Sequence, residues 1–188
     1  MYMKRVTEFF IAIILIIILL LPIVIISILI KLTSEGDIIY WSKRIGKNNK
    51  LFFMPKFRTM KIKTPDVASH LLVNPDQHVT KIGIFLRKFS LDELPQLYSI
   101  LFGQMTFVGP RPALYNQHDL IKLRTNFGIH KLKPGITGWA QVNGRDEISI
   151  NQKVEFDNFY CNNKKLIFDL KIIFLTLNKT ILRKNISH

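Results

Sequence analysis

The feature that most constrains this chain is an apolar run near its start. From Phe9 to Ile30, 22 residues pass with only Pro22 and Ser27 interrupting the hydrophobic side chains. As a helix rising about 1.5 Å per residue, that segment would reach roughly 33 Å, enough for a hydrocarbon core of about 30 Å. The chain is therefore expected to divide into a membrane anchor, 1–34, and a globular domain, 35–188. A cleaved secretory leader fits poorly, because the run exceeds the usual apolar region of such leaders and no A-x-A-like site follows it. Two features bear on how the anchor sits. Pro22, near its middle, removes a backbone hydrogen bond and kinks a helix. Lys4 and Arg5 precede the run while Lys31, Lys43, Arg44 and Lys47 follow it, although Lys and Arg prefer the cytoplasmic side of a membrane. A spanning helix and a re-entrant helix bent at Pro22 are both compatible with these residues.

The chain carries 27 Lys and Arg against 13 Asp and Glu, a formal net charge of +14. Nucleic acid, an anionic membrane surface or a phosphorylated substrate could each match such an excess. The anchor favours anionic membrane lipid, beside which each cation gains about 1 kcal/mol. Nucleic acid is not expected, since zinc-finger spacing and aromatic RNA-binding signatures are absent from the sequence. Cys161 is the single cysteine, so no intrachain disulfide can form. The five histidines show no H-x-x-x-H spacing, which argues against zinc.

Short apolar and aromatic runs over 36–63, with Gly36 and Gly46 as turn points, predict a small β-hairpin. Between Lys43 and Lys63 there are eight Lys or Arg and no acid. A solvated basic face accounts for most of them, but alternation puts Lys56 and Arg58 on one side of an extended segment. Residues 64–80 read as a polar surface loop. From Thr80 to Phe102 the spacing turns helical, with Ser90 as a candidate N-cap and Asp92 and Glu93 in the first turn after it. Gly103 ends that stretch. Residues 108–112 form a stiff non-helical segment, 113–126 read as helix, Lys133-Pro134-Gly135 marks a turn, and a further helix is expected around 149–160. From Lys164 to Lys184 apolar and basic positions recur at helical spacing, suited either to a membrane interface or to packing on the core.

Asp92 and Glu93 at a helix start admit a plain reading, since carboxylates favour the positive end of the helix dipole. The functional reading comes from their company. Arg87 and Lys88 lie just before them, and Arg111 sits in Pro110-Arg111-Pro112. Two prolines fix the backbone there and remove two N–H donors. The guanidinium fork matches phosphate oxygens, although an arginine bonding loop carbonyls is the alternative. Carboxylates beside arginines suggest phosphoryl chemistry with a divalent cation. One carboxylate could attack phosphorus directly. The G-x-x-x-x-G-K-[ST] cradle is absent, which weakens a kinase or NTP-hydrolase reading.

Four blocks occur in order: Lys56-Phe57-Arg58-Thr59-Met60, Leu91-Asp92-Glu93-Leu94-Pro95-Gln96-Leu97, Val108-Gly109-Pro110-Arg111-Pro112, and the stretch from Lys133-Pro134-Gly135 through Trp139 to Asn143-Gly144-Arg145. With them the chain resembles the bacterial sugar transferase family, the small monotopic polyprenol-phosphate phosphoglycosyl transferases. The resemblance runs from the anchor to about residue 175. It implies that a sugar-1-phosphate passes from a UDP-sugar to polyprenyl (undecaprenyl) phosphate through an aspartyl-phosphosugar intermediate, with release of UMP. Asp92 would be the nucleophile, and Glu93 with Asp92 would hold Mg²⁺. Arg111 would bind phosphate, with Arg87, Lys56 and Arg58 as further phosphate-side candidates. Arg145 would serve the nucleotide side. Asp157 and Tyr160 match a D-x-x-Y pattern, Asp157 as a substrate-side candidate with a structural role equally open. Small members lean toward N-acetylated amino sugars.

The resemblance also implies an α+β, mostly helical fold. Its parts would be a re-entrant membrane helix broken at Pro22, a small β-hairpin, and amphipathic helices lying at the membrane interface. The catalytic domain would face the cytoplasm from the bacterial inner membrane. The break in the family is often Ser-Pro, whereas this chain has Leu21-Pro22. A non-catalytic adaptor binding anionic membrane by its basic face is the reading from another class. It predicts salt-sensitive lipid binding indifferent to Asp92.

Overall fold

The apolar run forms two helices, α1 (Tyr2–Ile18) and α2 (Leu20–Thr33), bent by 61° at the break between them. The computed structural model describes residues 2–65, 74–144 and 148–182. The break lies at Leu19 (φ −91°, ψ 5°) and not at Pro22, which is inside α2. The cause is still the proline. Pro22 offers no N–H to the carbonyl one turn back, that of Ile18, and its ring crowds that oxygen, so the axis turns on the preceding residues. The ladder resumes at once, with Leu19 N–H bonded to Leu15 O and Ile23 N–H to Leu19 O, each at 2.9 Å. The bend therefore forms with leucine where a serine often precedes the proline. Among the described residues no single helix is long and apolar enough to cross a membrane, but the bent pair passes that test together.

Two compact units make up the chain. The first holds residues 1–42 and 54–101, with the last residues 183–188 lying outside the described range. Strand β1 (Ile39–Ile45) and strand β2 (Leu51–Phe57) form the expected hairpin, turned through Asn48 and Asn49, both at positive φ. Beyond β2 the chain pairs with residues leading into α4 (Lys81–Lys88). Met60 bridges Val79, and Thr80 N–H bonds to Thr59 O at 2.9 Å. A single turn, α3 (Pro75–His78), precedes this contact. Thr80 caps α4 by accepting from Gly83 N–H at 3.0 Å, which supplies an orphan donor with a partner. Gly83 lies against Thr59, where a Cβ would collide with the Thr59 carbonyl. Ile26 and Ile30 of α2, Phe57 of β2 and Leu86 of α4 form the buried core, with Leu91 and Leu94 packed on it.

The helical spacing after Ser90 resolves into a 3-10 turn (Leu91–Gln96) followed directly by α5 (Leu97–Leu101). Ser90 is not the side-chain cap expected of it. It adopts the left-handed region (φ 54°, ψ 23°) and its hydroxyl makes no capping bond. Pro95, lacking an N–H, suits the tighter turn.

The second unit holds residues 43–53 and 102–182. It contains β3 (Thr106–Val108), β4 (Ala113–Leu114), α6 (His118–Asn126), β5 (Gly135–Thr137), α7 (Trp139–Val142), α8 (Ile150–Asn163) and α9 (Leu166–Leu182). β4 pairs antiparallel with the end of β1, Arg44 opposite Leu114, and β3 pairs parallel with β5. Gly109 and Gly135 let the two parallel segments touch, since a Cβ on Gly135 would meet the Gly109 backbone. α8 starts at Ser149, whose hydroxyl bonds Gln152 N–H while the Gln152 side chain bonds back, a complete capping box. One face of α9 packs Ile172 against Val108, Val142 and Tyr160. Its other face leaves Leu166, Ile167, Leu170, Phe174 and Leu177 exposed.

Candidate active site

β2 alternates, sending Phe57 into the core and leaving Lys56 on the other side of the strand. The 3-10 turn does the complementary thing. Leu91 and Leu94 pack on the core, and between them Asp92 and Glu93 reach toward Lys56. Lys56 Nζ donates to Glu93 Oε1 at 2.8 Å and lies 3.9 Å from Asp92 Oδ2. Asp92 is only 8% exposed. The left-handed Ser90 makes this possible: its N–H bonds Arg87 O at 3.1 Å and its carbonyl accepts from Glu93 N–H at 3.2 Å, so the chain leaves α4 and reverses immediately before the acids. A non-glycine residue in that region is uncommon and costs conformational energy.

Two further cations of this unit also bond to groups outside the acid pair. Arg87, in the last turn of α4, donates Nε–H to Thr59 Oγ1 at 3.1 Å. Arg58 lies just beyond β2 and donates Nε–H to the Asp37 carbonyl at 2.6 Å. Lys56 and Arg58, two apart and expected to act as a pair, are thus given different partners. Among the described residues the donor set around Lys56 is two neighbouring carboxylates, with no His or Cys beside them. That set suits Mg²⁺, which typically takes one or two protein carboxylates and fills its shell with water and substrate phosphate. Among the described residues there is no group of three or more Asp, Glu, His or Cys able to hold a metal by itself.

In the second unit every carbonyl of Pro110-Arg111-Pro112 is tied down. Pro110 O accepts from Gly135 N–H at 2.9 Å, Arg111 O from Arg124 Nη1 at 2.7 Å, and Pro112 O from Arg44 Nη1 at 3.2 Å. With two N–H groups missing and three carbonyls engaged, the Arg111 backbone has little freedom. Arg111 lines a small, shallow cleft together with Ile45, Asn49, Arg124, His130 and Leu132.

Asp157, the substrate-side candidate of the D-x-x-Y pattern, is not among the residues lining that cleft. It is 1% exposed and its Oδ2 accepts from Arg124 Nε at 2.9 Å and Nη2 at 2.5 Å. Burial pushes its carboxyl above the ordinary range, while the Arg124 guanidinium pulls it back. The physical role is internal: Asp157 orients Arg124, and Arg124 holds the Arg111 carbonyl. Tyr160, the partner of Asp157 in the D-x-x-Y pattern, is buried with its hydroxyl 2.7 Å from Asp169 Oδ1 and 3.0 Å from Val108 O. Arg124 escaped notice in the sequence, yet a signal was present. Leu120 and Arg124 share one face of α6, as Val154, Asp157 and Tyr160 share one face of α8, and an ion in an apolar stripe needs a buried partner. Arg145 lies outside the described residues.

The family model described as bacterial sugar transferase matches residues 1–183. The chain is 38% identical over 189 residues to the UDP-glucose:undecaprenyl-phosphate glucose-1-phosphate transferase of Escherichia coli (strain K12), covering 97% of this chain and 41% of that protein. It is 39% identical over 190 residues to a sugar transferase of Bacillus subtilis (strain 168), EpsL, described as uncharacterized, covering 100% of this chain and 91% of that protein. It is 36% identical over 171 residues to the undecaprenyl-phosphate galactose phosphotransferase of Salmonella typhimurium (strain LT2), covering 82% of this chain and 36% of that protein. The chain thus spans about two fifths of the Escherichia coli relative, and most of the Bacillus one.

Proposed function

The chain belongs to the bacterial sugar transferase family, and from that premise we propose that it moves a sugar-1-phosphate from a UDP-sugar to polyprenyl (undecaprenyl) phosphate. The observation that carries this reading is the pair of adjacent carboxylates, one only 8% exposed, gathered on Lys56 at the start of a strained turn. Asp92 attacks the sugar-bearing phosphorus of the donor. The bridging P–O bond breaks, UMP leaves with the bridging oxygen, and an aspartyl-phosphosugar forms. An oxygen of polyprenyl phosphate then attacks the same phosphorus, displaces the Asp92 carboxylate, and yields polyprenyl diphosphosugar. Glu93, with Asp92, would hold Mg²⁺, which when bound supplies charge neutralisation to the diphosphate. Lys56 keeps the two carboxylates together by offsetting their mutual repulsion. Arg111, on its pinned backbone, offers a preorganised fork to phosphate. Arg87 and Arg58 remain phosphate-side candidates and Arg145 the candidate for the nucleotide.

The bent helix pair supports placement of this chemistry at the cytoplasmic face of a bacterial inner membrane, with both ends of the anchor on one side. There the reaction would be the first membrane step of glycoconjugate assembly. The exposed apolar face of α9 suits the membrane interface, and the net positive charge suits anionic lipid.

The test is UMP release from full-length protein in detergent or nanodiscs supplied with Mg²⁺ and undecaprenyl phosphate. Its donor panel sets UDP-N-acetylglucosamine and UDP-N-acetylgalactosamine, the amino-sugar class expected for small members, against UDP-glucose and UDP-galactose, the sugars in the relatives' names. Chelation should stop release. Asp92→Asn should abolish both turnover and the covalent adduct seen by mass spectrometry without acceptor. Failure of the whole panel, or an active Asp92→Asn variant, would overturn the reading.

A further inference from the structure

Arg5 sits near the start of α1, and its guanidinium donates Nη1–H to the Ile100 carbonyl and Nη2–H to the Leu101 carbonyl. The Phe9 ring, one turn further on, flanks the guanidinium with its centroid 5.9 Å from Cζ. Those carbonyls end α5, and the last carbonyls of a helix have no partner within it. A planar, permanently charged fork satisfies two at once and also suits the negative end of the helix dipole.

The significance lies in what α5 is joined to. The 3-10 turn bearing Asp92 and Glu93 passes into α5 without an intervening loop: Leu97 closes the turn in helical conformation, its N–H bonded to Leu94 and Pro95 carbonyls. Residues 91–101 are therefore one continuous coil, with the carboxylates at its start and the Arg5 acceptors at its end. Along the coil, Tyr98 makes an edge contact with the Trp41 ring. The Gln96 side-chain nitrogen and the Ser99 hydroxyl are buried without hydrogen-bond partners. The turn has the poorer geometry of a 3-10 helix, Pro95 removes one donor, and Ser90 enters it from a strained conformation. Such a segment needs a hold from outside.

We propose that Arg5 is a positioning residue for the reaction at Asp92: by clamping the end of the 91–101 coil to α1, it fixes where the two carboxylates stand against Lys56. This rests on the function proposed above, with the anchor helix serving as part of the active-site scaffold as well as a tether. Lysine would preserve the charge beside Lys4 but could not reproduce the two-pronged bond.

The test compares wild type, Arg5→Ala and Arg5→Lys as full-length protein in nanodiscs, by steady-state UMP release and by deuterium uptake. Arg5→Ala should lower kcat about tenfold, since small misplacements are costly, with KM for the UDP-sugar changed by no more than about twofold. Uptake should rise over 91–101 and stay unchanged over α8. Arg5→Lys should reach the membrane normally and recover kcat only in part; it carries the test where Arg5→Ala fails to insert. Unchanged uptake over 91–101 would overturn the proposal, as would raised uptake with wild-type kcat, or an Arg5→Lys variant equal to wild type in both. If wild type itself releases no UMP, the proposed function falls, and the uptake comparison still decides whether Arg5 holds the turn.

Discussion

At the residue scale, the decisive contact joins Lys56 to two neighbouring acids 36 and 37 positions away. Adjacent carboxylates repel each other, and the partly buried ammonium group is what makes their closeness tolerable. Lys56→Met should therefore lower kcat by at least about tenfold, or about 1.4 kcal/mol on the barrier. Lys56→Arg should recover part of that loss because the charge is kept while the geometry changes. Steady-state UMP release on the two variants checks this, and a fully active Lys56→Met would remove Lys56 from the site. The acids and Lys56 were legible as candidates, from motif order. Their pairing was not, because it depends on β2 and the 3-10 turn converging on the core through Phe57, Leu91 and Leu94. Arg58 shows the same limit. Spacing put it beside Lys56, yet β2 ends at Phe57 and Arg58 turns to the Asp37 carbonyl.

At the element scale, α6 and α8 are linked by the buried pair Arg124–Asp157, which in turn supports the Arg111 carbonyl. Removing one member of such a pair leaves an uncompensated buried charge, so Arg124→Ala should destabilise the second unit by about 3–5 kcal/mol. The loss should also depend on pH. Burial already raises the Asp157 carboxyl above its ordinary value of 3.8, and Arg124 opposes that shift. An acid whose folded pKa is raised contributes stability below its unfolded pKa and loses it as pH rises through the folded value. Arg124→Ala should therefore be least impaired in acid and lose stability as pH climbs toward neutrality, the reverse of ordinary acid denaturation. Thermal unfolding followed across that range measures it; a variant equally impaired at every pH would contradict the assignment. Longer elements were visible in the sequence, α8 near 149–160 and α9 within 164–184. The short strands β3, β4 and β5 were not. Strands of two or three residues are too brief to show alternation: β3 and β5 pair because Gly109 and Gly135 permit close approach, and β4 because the end of β1 supplies its partner.

At the scale of the whole molecule, the proposed membrane association rests on the bent helix pair and the net charge of +14. Pro22 causes the bend although the axis turns at Leu19, so restoring the missing N–H should straighten it. In Pro22→Ala, with Cys161→Ser and a reporter Met3→Cys, labelling by an impermeant thiol reagent should shift toward the side opposite the catalytic domain. The parent should label from the same side as that domain. Sealed vesicles of both orientations provide the measurement, and identical labelling with and without Pro22 would show that the bend does not govern topology.

An apolar helix kinked by proline near the start, an acid pair in a basic chain and a rigid arginine after it can all be read from residue type and order alone. These are properties of residue type and spacing along one local stretch, and local physics suffices to read them. It takes the packed fold to bring Lys56 to the acids, Asp157 to Arg124 inside the core, and Arg5 of the apolar helix to the end of the coil that carries Asp92 and Glu93. Each of those contacts joins distant stretches of chain. Their geometry follows from how elements pack, through exclusion of apolar surface from water and the need to satisfy every buried polar group.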